Sequence, residues 1–332
     1  MIVAITGGTG FIGRHLIARH CLRGDQVRFL TRQHSTKGIV GATAFVGSLD
    51  SNADVLGPFV RGADVLYHCA AELRNEVEMH NTNVCGTENL IAAANGEIGR
   101  WVQLSSTGVY GRHRAGVQDM RGDIDEDAID ENAIDENAIA RPTNKYESSK
   151  LASDNLVQEA AAQHGFAAVV VRPSNVYGID MPNQSLFQLI RMIDRGWFFF
   201  IGPEGASANY VPVENVIDAL LLCATAKLSE NGRAYIVSDH RSLEALVQII
   251  ASALKKKPPK CRFPEPLIRI ANAIIGKLPG FPLSTSRIDA LTDRSIYRID
   301  RIQSELGFEN RVSMEAGMGE LVRQYQHSRA GT

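Results

Sequence analysis

Long apolar runs are missing from this chain of 332 residues. The longest helix-like candidate, PLIRIANAIIGKLPG from Pro266, is too short to cross a bilayer and is broken by Arg269 and Asn272. It reads as a surface or lid helix, with contact to a membrane surface the lesser alternative, and no membrane span is expected. An excess of either charge is missing too. The formal net charge of −2 gives no pull toward nucleic acid or an anionic surface. Cysteine is sparse. The five thiols (Cys21, Cys69, Cys85, Cys223, Cys261) are odd in number, scattered and free of any CxxC, which excludes a disulfide or zinc framework. His20–Cys21 and His68–Cys69 have no second pair at ligand spacing, so they read as packing residues and no metal is expected. Met1 runs straight into IVAIT with no basic region or cleavage site, which predicts a cytoplasmic protein without a signal peptide.

One segment is rich where the rest is ordinary. Residues 122–139 read GDIDEDAIDENAIDENAI, with eight carboxylates and no Lys or Arg. Asp123, Asp125 and Asp127 fit the first ligand positions of a calcium loop. Ala128 then stands where the turn needs Gly, and Ile134 where a bidentate Glu is needed. The isoleucines recur every five residues, matching neither a helix nor a strand. The expectation is a solvated, mobile acidic loop.

The first half of the chain alternates strand-like and helix-like segments. IVAIT, QVRFLT, TAFVG, DVLYHCA, WVQLSS and AAVVVRPSN are apolar runs of strand length. Between them lie helical patterns such as FIGRHLIARHCLRG and NKYESSKLASDNLVQEAAAQHG. That alternation predicts an α/β, Rossmann-like doubly wound parallel sheet over residues 1–177. Beyond residue 178 the pattern turns irregular, which predicts a smaller C-terminal substrate-binding lobe over 178–332, partly interleaved with the main sheet. Its aromatic run at 197–200 is expected to be core strand, and KKKPPK at 255–260 a solvated turn.

The first strand enters TGGTGFIG, with Gly7, Gly10 and Gly13. Glycines there allow a tight turn and let N–H groups at the start of the next helix meet a pyrophosphate. Phe11 and Ile12 lie on the same turn. At the end of the second strand, where an NAD site usually carries an acid, stand Thr31 and Arg32. Arg32 can grip a 2′-phosphate, so the expected cofactor is NADP(H), with NAD the alternative. Tyr146 and Lys150 sit four apart in a helical segment and so share a face. An ammonium 4–6 Å from a phenol, whose ordinary pKa is about 10, would bring it down toward neutral pH. A phenol so tuned moves the proton of a secondary alcohol or ketone.

TGGTGFIG, DVLYHCAA, NVCGT, LSSTGVYG, YESSK and RPSNVYG together resemble the extended short-chain dehydrogenase/reductases, the epimerase/dehydratase group, over nearly the whole chain. The resemblance implies Ser106, Tyr146 and Lys150 as catalytic residues. It implies cofactor contacts from Ala70, Ala71, Pro173, Asn175 and Val176, with Asn83 supporting the catalytic helix. Thr107, Asn175 and Arg287 are the implied substrate contacts beside Ser106. The repeated DENAI resembles an expansion of the acidic link that precedes the catalytic helix in this family. A homodimer through residues 74–95 and 144–163 is implied as well.

Two departures bear on specificity. Gly47-Ser48 replaces the usual Gly-Asp, so Ser48 or the Leu49 backbone must meet the adenine. Ala208 stands where sugar-nucleotide epimerases place an arginine. The expected activity is hydride and proton exchange at a carbinol carbon of a small molecule, of nucleotide-sugar type as a 4-epimerase or 4-ketoreductase. The alternative is a hydroxysteroid or dihydroflavonol-like ketone. A dinucleotide-sensing regulator without catalysis is the reading from a different class.

Overall fold

The computed structural model describes residues 1–33, 39–111, 132–275 and 284–330. Seven parallel strands form one sheet in the order Ala42–Val46, Gln26–Thr31, Ile2–Thr6, Val65–His68, Arg100–Leu104, Ala167–Pro173, Arg233–Val237. Both faces are covered, and the first strand displays the reason its residues are apolar throughout. Val3 and Ile5 pack on Leu16 and Ile17 of helix Phe11–Leu22 and on Val216 and Leu220 of helix Val213–Thr225. Ala4 faces the other way, toward Leu56 and Phe59, Leu90, and Val157 of helix Lys145–His164. The fold is therefore the doubly wound α/β sheet expected from the alternation.

The first strand is the point where strand order reverses. Its neighbours are the second strand on one side and the fourth on the other, which opens a crevice at their carboxyl ends. A second core gathers Leu186, Ile190, Phe198, Leu246, Met318 and Leu321. The strand Asn175–Tyr177 pairs with Ser207–Pro212, which pairs in turn with Asp239–Ser242. The seventh strand of the main sheet and helix Val213–Thr225 come from beyond residue 178, so the second half of the chain returns to complete the first core.

The acidic segment departs from expectation where it is described. Residues 112–131, including Asp123, Asp125, Asp127 and Ala128, lie outside the described residues. From Ala133 to Glu136 the segment is anchored rather than solvated. Ala133–Ile134 pairs with Ile296–Tyr297, and Ile134 is buried against Val109, Tyr110 and Ile236. Glu136 accepts the Ile236 N–H at 2.7 Å and faces Arg301 at 3.5 Å. Burial of one isoleucine and neutralisation by an arginine distant in sequence outweigh the like-charge repulsion that predicted a free loop. The aromatic run splits as well: Phe198 and Phe200 are buried, whereas Trp197 is 63% exposed. Among the described residues, no helix is long and apolar enough to cross a membrane.

Candidate active site

Gly7 takes φ +68°, and a Cβ there would stand 2.7 Å from the Ala70 N–H nitrogen. The turn after the first strand and the end of the fourth are therefore in backbone contact, which only glycine permits. Gly13 is tighter still, since its Cβ would meet the Gly7 carbonyl oxygen at 2.2 Å. Ala70 N–H is also held by Thr6 Oγ1 at 3.2 Å. Helix Phe11–Leu22 begins beside this contact with an extended Gly10, no capping side chain and no acid in its first turn. Its leading N–H groups and dipole are thus available to an anion.

Helix Lys145–His164 starts where its cap dictates. Asn144 Oδ1 accepts the Glu147 N–H at 3.0 Å, and Glu147 reaches back to the Thr143 N–H at 2.6 Å. This reciprocal cap fixes Tyr146 in the first turn and Lys150 one turn later. The buried face of the helix is polar. Ser149 Oγ accepts from Asn83 Nδ2 at 2.9 Å, and Ser153 Oγ meets Thr87 Oγ1 and Gln103 Nε2, each at 2.8 Å. From Thr87 the chain continues through His68 to Thr6, so hydroxyls and one imidazole tie helix Lys145–His164 to the glycine turn. Asn83 sits in a wide π-type turn, Asn81–Cys85, and also accepts the Glu72 N–H at 2.7 Å.

Lys150 is buried, with Nζ donating to the Leu104 carbonyl at 2.6 Å. Burial pushes its pKa down, and the Asp154 carboxylate counteracts that. Asp154 has no exposed surface. Its Oδ2 accepts from Ser105 at 2.7 Å and from Arg172 at 3.1 Å, and Arg172 extends to the Tyr110 hydroxyl at 2.8 Å. The Tyr146 phenol is pushed up to about 12, first by burial and then by the Asp154 and Glu147 carboxylates. This reverses the direction expected from the sequence. Lys150 Nζ donates to the Leu104 carbonyl, and desolvation of the phenolate dominates. At neutral pH the phenol holds its proton.

One cleft of about 840 Å³ gathers Gly7, Gly10, Phe11, Ile12, Gly13, Arg32, Ser48, Leu49, Ala70, Ala71, Ser106, Tyr146, Lys150, Pro173 and Val176. Its size and its glycine-lined cradle fit a dinucleotide. Four expected residues do not line it. Asn83 lies behind the wall as a brace, Thr107 is buried, Asn175 donates to the Asn209 carbonyl, and Arg287 is held by Gln188 on the lobe. Arg32, Asp50 and Glu72 share the cleft, and the Arg32 charge helps to lower the Glu72 pKa, mainly set by the Asn75 N–H. Sequence reading missed Asp50, Glu72, Ser105, Ser174, Asp154 and Arg172. Asp50, hydrogen-bonded to Ser48, was within reach as the aspartate displaced by two residues from the Gly-Asp pattern.

A family model for the NAD dependent epimerase/dehydratase family matches residues 3–238. A 4-hydroxy-2-methyl-3-oxo-4-farnesyl-3,4-dihydroquinoline-1-oxide ketoreductase of Stigmatella aurantiaca is 28% identical, over 96% of this chain and 94% of that protein. A UDP-glucose 4-epimerase of Vibrio cholerae is 22% identical, over 97% and 95%. The solved UDP-glucuronic acid 4-epimerase from Bacillus cereus, in complex with NAD, superposes with a TM-score of 0.73 at 15% identity over 99% of both chains. That last likeness speaks for the fold.

Proposed function

This chain belongs to the NAD dependent epimerase/dehydratase family, and from that premise we propose that it reduces a ketone on a hydrophobic substrate, with NADP(H) as partner. The reading rests on one juxtaposition: Tyr146 and Lys150, a helical turn apart, open onto the same cleft as Ser106 and the glycine turn. When bound, the dinucleotide supplies the hydride donor or acceptor. The first-turn N–H groups after Gly10 would hold its pyrophosphate, Arg32 its 2′-phosphate, and Lys150 its nicotinamide ribose. Ser106 Oγ donates to the substrate oxygen. Tyr146 delivers the proton. The phenol holds a proton to give, and its raised pKa makes it a weaker acid than an ordinary tyrosine.

Two observations favour a hydrophobic substrate over a sugar nucleotide. Buried Ala208 offers no phosphate ligand, and Arg287 is engaged by Gln188 away from the cleft wall. The Stigmatella relative acts on a farnesyl-bearing ketone by its name. The sugar-nucleotide reading keeps the support of the epimerase relatives. A thermal-shift screen of hydrophobic ketones against nucleotide sugars, with cofactor present, separates the two. Pairing of two copies through residues 74–95 and 144–163 belongs to the same proposal, and sedimentation velocity reads it.

The cofactor assignment has its own test. Fluorescence titration should give NADPH a lower Kd than NADH by about tenfold, of the order of one charge-assisted contact. Arg32→Glu should reverse that order. Tighter binding of NADH by the unsubstituted protein would contradict the assignment.

A further inference from the structure

The C-terminal lobe carries a row of side chains that the catalytic reading does not use. Trp197, Phe263, Leu267, Ile270 and Ile274 are 63%, 42%, 59%, 57% and 74% exposed. They belong to two chain segments that a short sheet joins. Phe200–Ile201 pairs with Arg262–Phe263, and the Phe199 ring packs edge-on against Phe263 at 5.1 Å. Helix Glu265–Ile275 follows directly, and positions 267, 270 and 274 recur at the spacing of a single helix face. None of these residues lines the cleft.

The charge around these segments departs from the balance of the chain. Residues 191–201 and 255–275 contain eight Lys and Arg against two acids, in a protein whose net charge is −2. Both acids are already paired: Asp194 with Lys256 at 2.7 Å and with Arg329, and Glu265 with Arg269 at 2.7 Å. Among the described residues, exposed Lys255, Lys257 and Lys260 pair with no carboxylate. Arg195 lies over the Trp197 ring, 5.0 Å from its centroid.

We propose that this face rests on an anionic phospholipid bilayer. The unpaired lysines ask for an anionic partner, and the exposed aliphatic and aromatic side chains for an apolar one. Aliphatic residues on one helix side, a tryptophan at the edge and flanking lysines are the combination that lies in a membrane interface. Leu267, Ile270 and Ile274 enter the acyl boundary, Trp197 sits at headgroup depth, and the lysines meet lipid phosphates. The inference uses no residue of the cleft, so it stands or falls separately from the catalytic reading.

Trp197 makes the test direct, because the second tryptophan, Trp101, is fully buried. The full chain is mixed with vesicles of phosphatidylcholine alone or of phosphatidylcholine with phosphatidylglycerol. The expected result is flotation with the anionic vesicles only, a blue shift of tryptophan emission, and quenching by brominated acyl chains. Replacing Lys255, Lys257 and Lys260 by Glu should weaken partition at least tenfold, each lysine contributing about fivefold near an anionic surface. Replacing Leu267, Ile270 and Ile274 by Ser should abolish it, with circular dichroism and dinucleotide affinity unchanged. No flotation at low salt overturns the proposal, as does flotation retained by both variants. A blue shift that grows with protein concentration without lipid, together with a heavier species by sedimentation, assigns the face to a second copy and overturns it too.

Discussion

Burial lowers the pKa of Lys150, and Asp154, a carboxylate one turn further along the helix, is the first group to counteract it. Asp154 is itself buried, pushed up by desolvation and drawn back first by Arg172. Removing one member strands the other charge inside the protein, which costs about 3–5 kcal/mol. Asp154→Ala should therefore lower stability by that order in urea or thermal unfolding. The Asp154→Leu, Arg172→Met pair should recover only part of the loss, because the guanidinium is no longer stranded while Lys150 still loses its carboxylate. Losses that simply add would contradict this account. Neither residue stood out in sequence. Tyr146 and Lys150 were legible because a phenol and an ammonium four residues apart carry a reaction in their spacing, whereas Asp154 and Arg172 are joined only by the fold.

Elements were legible in proportion to how far their periodicity follows burial. Strands such as Ile2–Thr6 and Ala167–Pro173 are apolar runs because both sheet faces are covered. Helix Lys145–His164 is the opposite case. Its buried residues include Ser149, Lys150, Ser153 and Asp154, so its inward face is polar and no apolar stripe marks it. Its start is set by the Asn144 cap, whose Oδ1 accepts the Glu147 N–H, and that cap was not read from the sequence. The two-residue strands Ala133–Ile134 and Arg262–Phe263 were beyond sequence reading, whereas Phe200–Ile201 overlaps the aromatic run expected to be strand. They are too short for a period and exist only through their partners. The same reasoning covers the stretch from Ala133 to Glu136, whose anchoring depends on Ile236 and Arg301.

At the scale of the whole molecule, two linkages set its response to acid. His68, buried between Thr6 and Thr87, is pushed down to about 3 by desolvation, with Lys150 adding to the effect. The unfolded chain titrates this group near 6.5, so it takes up the proton first as pH falls. Stability from neutral His68 is complete above about 6.5 and is lost progressively toward 3. Glu305, lowered to about 2 chiefly by its hydrogen bonds from Arg233, loses its contribution between about 4.5 and 2. Melting temperature should fall as pH drops from 6.5 to 4, and His68→Gln should flatten that slope. An unchanged slope would remove His68 from the explanation. The claim on which the catalytic account turns is that one phenol carries the proton. Steady-state reduction of a turned-over ketone by Tyr146→Phe, paired with dinucleotide titration, tests it most directly. The account predicts a fall in kcat of about 10²–10⁴-fold with dinucleotide Kd unchanged; turnover that survives the substitution would contradict it.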